Sequence, residues 1–325
     1  MSTGPDKEIK LKRFNPKKME NQRTNPNKGP PTILLVGSKR TGKTTLIRDL
    51  MYYFRRIPAG VIMTGSLTSA NTFSEFFPKS CIFNHIDDAM EKRLESIIKR
   101  QNKLVKKELR DKQKFDKLQQ TKPKSKRLPY QYTDYSSFML FDDCGYDTKF
   151  TKKQTISQLF FNGRHYKILL IMAIQYCKSV PPALRMNADY VFIMKEKSIK
   201  ERKKIHDEWF GMLTNKEFTR IMDVCTDDYG CLVLDNTVSS NKIEDQVFFY
   251  KARYPPKKYK VGTKELWDFH RRTYRSDDDS DDDSDDDNNN SGSINNTTTR
   301  TATLSLKNSV SKGKTKKSIP KTMII

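Results

Sequence analysis

Cysteine is scarce in this chain, five residues in 325, and no two of them stand as Cys-x-x-Cys. An odd, unpatterned set argues against a disulfide framework and against a zinc finger. A reducing compartment is the simpler reading. The four histidines, His85, His165, His206 and His270, do not fall at ligand spacing, so no structural metal is expected. Long apolar runs are also missing. The longest, Ile168 to Ile174, is far short of the ~18 residues of a membrane span and suits a buried strand. The opening residues, Met1-Ser2-Thr3-Gly4-Pro5, show neither the apolar stretch of a secretory signal nor a glycine at position 2 for myristoylation. Apolar residues make up only 35%, so the core must be concentrated in part of the chain. These deficits disfavour membrane, secreted and metal-stapled classes.

Acidic residues are outnumbered, 39 against 62 Lys and Arg, for a net charge of +23. Nine of the acids are confined to residues 276–287, SDDDSDDDSDDD, so residues 1–275 hold 55 bases against 30 acids. Such a body favours a polyanionic partner, nucleic acid first. Residues 276–325 are rich in Asp, Asn, Ser, Thr and Lys, which predicts a disordered tail with an acidic stretch and a basic end. That tail either keeps a basic body soluble or competes with DNA for it. Residues 1–30, polar with scattered Pro and Lys, read as a flexible arm.

Residues 31–275 carry the fold. Apolar runs at 32–36, 60–64, 137–141, 168–174 and 190–194 read as buried strands, with later strands at 231–234 and 246–250. Helical spacing of apolar residues marks 44–54, 86–120, 199–213 and 216–224. Strands alternating with helices predict an α/β sheet, mostly parallel.

The first strand runs into Gly37-Ser38-Lys39-Arg40-Thr41-Gly42-Lys43-Thr44, which matches G-x-x-x-x-G-K-[ST], the Walker A pattern. Glycines let backbone N–H groups fold around phosphate oxygens at a helix N-terminus. Lys43 is placed to reach the β- and γ-phosphates of a nucleotide, and the Thr44 hydroxyl to ligate Mg²⁺. Such a loop by itself does not separate kinases, GTPases and motor ATPases. Thr45 either caps the helix or touches the α-phosphate. The strand 137–141 ends in Asp142 and Asp143. The first is placed to hold Mg²⁺, the second to orient or deprotonate an attacking water. In the chain at least one strand, Gly60–Thr64, intervenes between the two motifs. Their separation by an extra strand is the arrangement of motor-type ATPases. In that division the second acid is more often Glu, and Asp143 is shorter by a methylene.

The strand 168–174 ends in Gln175, where a polar side chain meets the ligand edge of an open sheet and could sense the γ-phosphate. Arg164 begins the same strand, at the edge opposite the loop. It is either a surface group of a basic chain or an arginine finger for a neighbouring subunit. Arg185, after Pro181-Pro182, is the runner-up finger. Cys144, Trp209 and Phe210 read as packing residues. Residues 99–127 hold 13 bases against three acids, either a solvated helix face or a track for DNA phosphates.

With these motifs in place, VGSKRTGKTTLIRDL, FMLFDDCGYD and NGRHYKILLIMAIQYCKSVPPALRMNADYVF resemble the virion DNA-packaging ATPases of nucleocytoplasmic large DNA viruses. These are the poxvirus-type members of the FtsK–HerA superfamily of P-loop NTPases. The likeness spans about residues 30–255. It implies an ATP-hydrolysing, Mg²⁺-dependent translocase of double-stranded DNA that forms a homo-oligomeric ring and meets capsid or portal-vertex proteins. It also implies a place in the virion or in a cytoplasmic virus factory. By the resemblance Lys43 and Thr44 bind nucleotide and Mg²⁺, and Asp142 and Asp143 form the acidic pair. Gln175 is then the sensor and Arg164 the finger. A cellular-type DNA translocase or helicase, and a nucleotide-gated scaffold that binds nucleic acid, are the alternatives.

Overall fold

The chain, as a computed structural model, is described at residues 9–85, 87–144, 149–274 and 322–324. It opens with β1 (Lys10–Arg13), α1 (Lys17–Thr24), β2 (Thr32–Val36), α2 (Lys43–Met51), β3 (Ala59–Thr64), α3 (Leu67–Ser74), β4 (Ile82–Phe83) and α4 (Asp88–Gln120). β5 (Ser137–Asp142), α5 (Gln154–Asn162), β6 (Ile168–Ile174), α6 (Pro182–Arg185), β7 (Tyr190–Ile193) and α7 (Ile199–Trp209) follow. The rest comprises α8 (Asn215–Cys225), β8 (Gly230–Asp235), α9 (Ile243–Gln246), β9 (Val247–Lys251), α10 (Lys264–Thr273) and β10 (Thr322–Ile324).

One ten-stranded sheet runs in the order β10-β1-β9-β8-β7-β2-β6-β5-β3-β4. Every pairing from β7 to β4 is parallel. β8 runs antiparallel to both neighbours, β1 is parallel to β9, and β10 is antiparallel to β1. β2, β5, β6 and β7 are buried at every position, which is why their sequences are apolar runs without alternation. This is the mostly parallel α/β sheet of a P-loop NTPase that the pattern predicts.

Two expectations change. The strand lying between β2 and β5 is β6, whereas the Gly60–Thr64 strand, here β3, pairs on the far side of β5. A strand can follow another in the chain and still be laid outside it, because a crossover connection sets position in the sheet. The two motifs are therefore still separated by one strand, and it is the one that ends at Gln175. The second change concerns the arm. Residues 10–24 form β1 and α1, and Leu11, Phe14 and Met19 are buried against the sheet. Phe14 meets Tyr190, Phe192 and Tyr250 edge-on at 5.6–6.3 Å, so three apolar side chains anchor an otherwise polar stretch. The tail at 276–325 lies outside the described residues apart from β10.

α2 delivers its first turn to the end of β2. Leu46, Ile47, Leu50 and Met51 face the core, and Asp49 is buried with them. Asp49 accepts hydrogen bonds from the Tyr250 hydroxyl at 2.5 Å and from Arg253 Nε at 2.5 Å. These bonds satisfy a carboxylate that would otherwise be costly to bury and tie α2 to β9. Asp87 caps α4, its carboxylate accepting from the Met90 N–H at 2.7 Å. Met90, Leu94, Ile98 and Gln101 are buried in the first half of the helix and Gln119 near its end, while Leu109 is more than half exposed. The 33-residue helix, ~50 Å long at 1.5 Å per residue, thus docks by its first half and presents its basic second half to solvent.

Candidate active site

The phosphate loop begins where β2 ends. The Gly37 N–H still pairs with the Ile174 carbonyl at 3.1 Å, and the chain then turns through Ser38 to Gly42. Gly42 has φ +94°, and a Cβ there would sit 3.3 Å from the Tyr229 ring. Glycine is the residue that accepts this conformation. Gly42 is also the N-cap of α2 and offers no side-chain cap, so the first N–H groups of the helix are left for another acceptor. Lys43 Nζ lies across the loop, donating to the carbonyls of Gly37 at 2.7 Å and Ser38 at 2.9 Å. The Thr41 hydroxyl donates to Ser38 O at 2.8 Å. Lys39 and Arg40 are exposed at the rim. Burial lowers the Lys43 pKa, and the nearby carboxylates of Asp142 and Asp143 oppose that shift.

β5 brings the acidic pair to the same place. Asp142 is 1% exposed, and its Oδ2 is 3.5 Å from the Thr44 hydroxyl. Burial pushes its carboxyl pKa up, against a hydrogen bond from Ser69 and the charge of Lys43. Asp143 leaves the strand with φ +53°, a conformation that a non-glycine residue adopts at some cost. Its carboxylate accepts a hydrogen bond from Gln175 Nε2. Gln175 reaches it because β6 lies directly beside β5. A cleft of ≈340 Å³ is lined by Lys39, Arg40, Gly42, Lys43, Thr44, Thr45, Ser66, Ser69, Asp142, Asp143, Gln175 and Tyr229.

The two arginines are elsewhere. Arg164 is exposed in the turn between α5 and β6, near Gly29 and Asp189. The seven residues of β6 separate it from Gln175, ~20 Å at a strand's rise. It joins no residue of the cleft. Arg185 does not fit a finger. It is 3% exposed, donates to Val180 O at 2.6 Å and Cys177 O at 3.2 Å, and pairs with Glu208 at 2.6 Å. A guanidinium held this way fixes the loop before α6 to α7 and is not available to a neighbour. Cys144 is buried, burial pushes its thiol well up, and it packs under the acidic pair. Trp209 and Phe210 are buried core.

Three cleft residues were not anticipated. Ser66 caps α3, accepting from the Ser69 N–H, and Ser69 Oγ lies 3.4 Å from the Thr44 hydroxyl. The Ser-Leu-Thr-Ser stretch after a strand reads only as a cap, so nothing in it announces a site. Tyr229 comes from the turn before β8, over a hundred residues from any other cleft residue except Gln175, Asp143 and Asp142.

No protein-family model matches the chain. Uncharacterized protein L437 of Acanthamoeba polyphaga mimivirus is 31% identical over 249 residues, 76% of this chain and 81% of its own length. Uncharacterized protein 088R of Invertebrate iridescent virus 3 is 33% identical over 231 residues, 70% of this chain and 78% of its own length. The chain belongs to their family, a family of large DNA viruses. The relatives come from large DNA viruses, the group to which the resemblance drawn from the motifs points. Among solved structures, the genome packaging NTPase B204 of Sulfolobus turreted icosahedral virus 2 in complex with ATP-gammaS aligns over 68% of this chain and 96% of its own, with 15% identity and a TM-score of 0.45. EssC (ATPases 2 and 3) from Geobacillus thermodenitrificans aligns over 74% and 42%, with 16% identity and a TM-score of 0.43. Among the described residues no helix is long and apolar enough to cross a membrane.

Proposed function

We propose that this protein is an ATP-driven translocase of double-stranded DNA that loads a viral genome into its capsid. The observation that carries the reading is a convergence. The phosphate loop, the acidic pair and Gln175 come from three different strands and meet in one cleft, with β6 between β2 and β5. In this reading the loop N–H groups and Lys43 hold the phosphates of ATP. The Thr44 hydroxyl and the Asp142 carboxylate are hard oxygen donors 3.5 Å apart and fit Mg²⁺, with nucleotide phosphates and water as further ligands. The ion, when bound, would neutralise charge on the transferred phosphoryl. Asp143 positions the attacking water, and Gln175 fixes the Asp143 carboxylate through their hydrogen bond. Arg164, remote from its own cleft, serves as a finger in the cleft of a neighbour in a ring. The exposed basic half of α4 follows the DNA backbone without reading sequence.

Membership of a viral family supports a genome as the client over a cellular chromosome. The capsid or its portal vertex, and a place in the virion or virus factory, belong to the same proposal. The test is steady-state ATP hydrolysis with and without duplex DNA, paired with electron microscopy for rings. A several-fold stimulation by duplex DNA is expected. Hydrolysis that ignores DNA, or none at all from a folded protein, favours a nucleotide-gated scaffold.

A further inference from the structure

The cleft has two flanks. On the β6 and β5 side of β2 stand Gln175, Asp142 and Asp143. On the other side β7 pairs with β2, β8 pairs antiparallel with β7, and Tyr229 immediately precedes β8. Tyr229 therefore reaches the cleft from the flank away from the acidic pair. Its ring lies against Gly42, and the residue is still 67% exposed.

The turn that holds it is built at a cost. Asp228 has φ +45° and Tyr229 φ +59°, two successive left-handed residues neither of which is glycine. Gly230 cannot carry a side chain, because a Cβ there would lie 2.2 Å from the Cys225 carbonyl oxygen. Asp227 pairs with Lys195 at 3.2 Å and Asp228 pairs with Lys251, so the first two residues of the turn are held to the residues after β7 and to β9. A large aromatic ring is thus fixed in an unfavourable backbone conformation and left facing solvent at the lip of a phosphate loop. Strain of this kind gathers at ligand sites.

We infer that Tyr229 is the surface on which the base of the bound nucleotide stacks. The inference rests on the phosphate-loop reading given above. A triphosphate seated on the α2 N-terminus, with its terminal phosphoryl toward Asp142, Asp143 and Gln175, directs the rest of the nucleotide across Gly42 toward the β8 flank. The ring found there offers a π-face to a base. Stacking of this kind accepts any base and is felt as affinity for the whole nucleotide over its phosphates alone. The ligand class is a nucleoside triphosphate, and the specificity lies against inorganic triphosphate.

The test is equilibrium binding of ATP and of inorganic triphosphate to the full chain, as wild type, Tyr229→Ala, Tyr229→Phe and Lys43→Ala. Tyr229→Ala should weaken ATP binding about tenfold or more, while Tyr229→Phe should change it less than about twofold. Triphosphate affinity should be the same in all three proteins with Lys43 intact and should fall in Lys43→Ala. ATP affinity unmoved by Tyr229→Ala overturns the stacking assignment. Equal weakening of ATP and triphosphate by Tyr229→Ala also overturns it, since the turn would then only be supporting the loop. A wild-type protein that binds neither ligand overturns the phosphate-loop reading itself.

Discussion

Lys43 lies across the phosphate loop with its ammonium on the carbonyls of Gly37 and Ser38 and two carboxylates close by. It is the one loop side chain assigned to the transferred phosphoryl, so Lys43→Ala should lower ATP turnover at least ~100-fold, with circular dichroism and Tm close to wild type. Asp143→Asn should still bind ATP yet hydrolyse it slowly, seen as a fall in kcat with little change in KM. Asp142 yields a prediction about stability. Burial raises its carboxyl pKa above the unfolded value, so the folded chain holds the proton more tightly. The stability gained this way is complete below the ordinary carboxylate pKa and is lost as pH rises through the raised value. At higher pH the buried carboxylate is a net cost. Asp142→Asn without nucleotide should therefore raise Tm at pH 8, and the gain should shrink as pH is lowered. Thermal melts across pH check it, and a lower Tm at pH 8 would contradict it. At this scale the motif residues were legible, because phosphate chemistry demands particular side chains at fixed spacing. Tyr229 and Ser69 were not, because a tyrosine in a turn and a serine after a helix cap carry no such spacing.

The elements place these residues, and β6 shows how. Its residues 168–174 are recognisable in the sequence as a buried strand, but its position between β2 and β5 is a property of the sheet. That position brings Gln175 to Asp143 and leaves Arg164 at the opposite edge. β1 and α1 were hidden for a different reason. Their stretch holds only a few apolar residues among many charges, and what holds it is the burial of Leu11, Phe14 and Met19 against distant parts of the chain. α4 was legible along its whole length, since the helical spacing of its apolar residues is local; its Asp87 cap went unread. The bases of its second half supply a prediction about DNA. Replacing Lys106, Lys107, Lys112 and Lys114 with Gln should make the slope of log affinity against log salt shallower by up to about 3.5, and should spare ATP binding. Filter binding or fluorescence anisotropy over a salt series measures it. An unchanged slope would move the DNA surface to another part of the molecule.

For the whole molecule, the finger role proposed for Arg164 implies that one subunit completes the cleft of another. Arg164 has no route to its own cleft, so its assigned role requires a neighbour whose loop it faces. Mixing Arg164→Ala with Lys43→Ala should recover part of the ATPase activity that each lacks alone, because a mixed interface can combine an intact loop with an intact finger. Failure at every ratio, with both variants still forming rings, would contradict a finger in trans. Arg185 offers no substitute, being committed to Glu208 and to two carbonyls. The central claim, that ATP hydrolysis moves double-stranded DNA, is met most directly by triplex displacement. A third strand is annealed at one end of a long duplex, and its release is followed after the protein and ATP are added. The wild-type chain should strip the third strand after a lag that lengthens with the distance to be travelled, and Lys43→Ala should leave it in place. Release without that lag, release without ATP, or no release from a protein that hydrolyses ATP would contradict translocation.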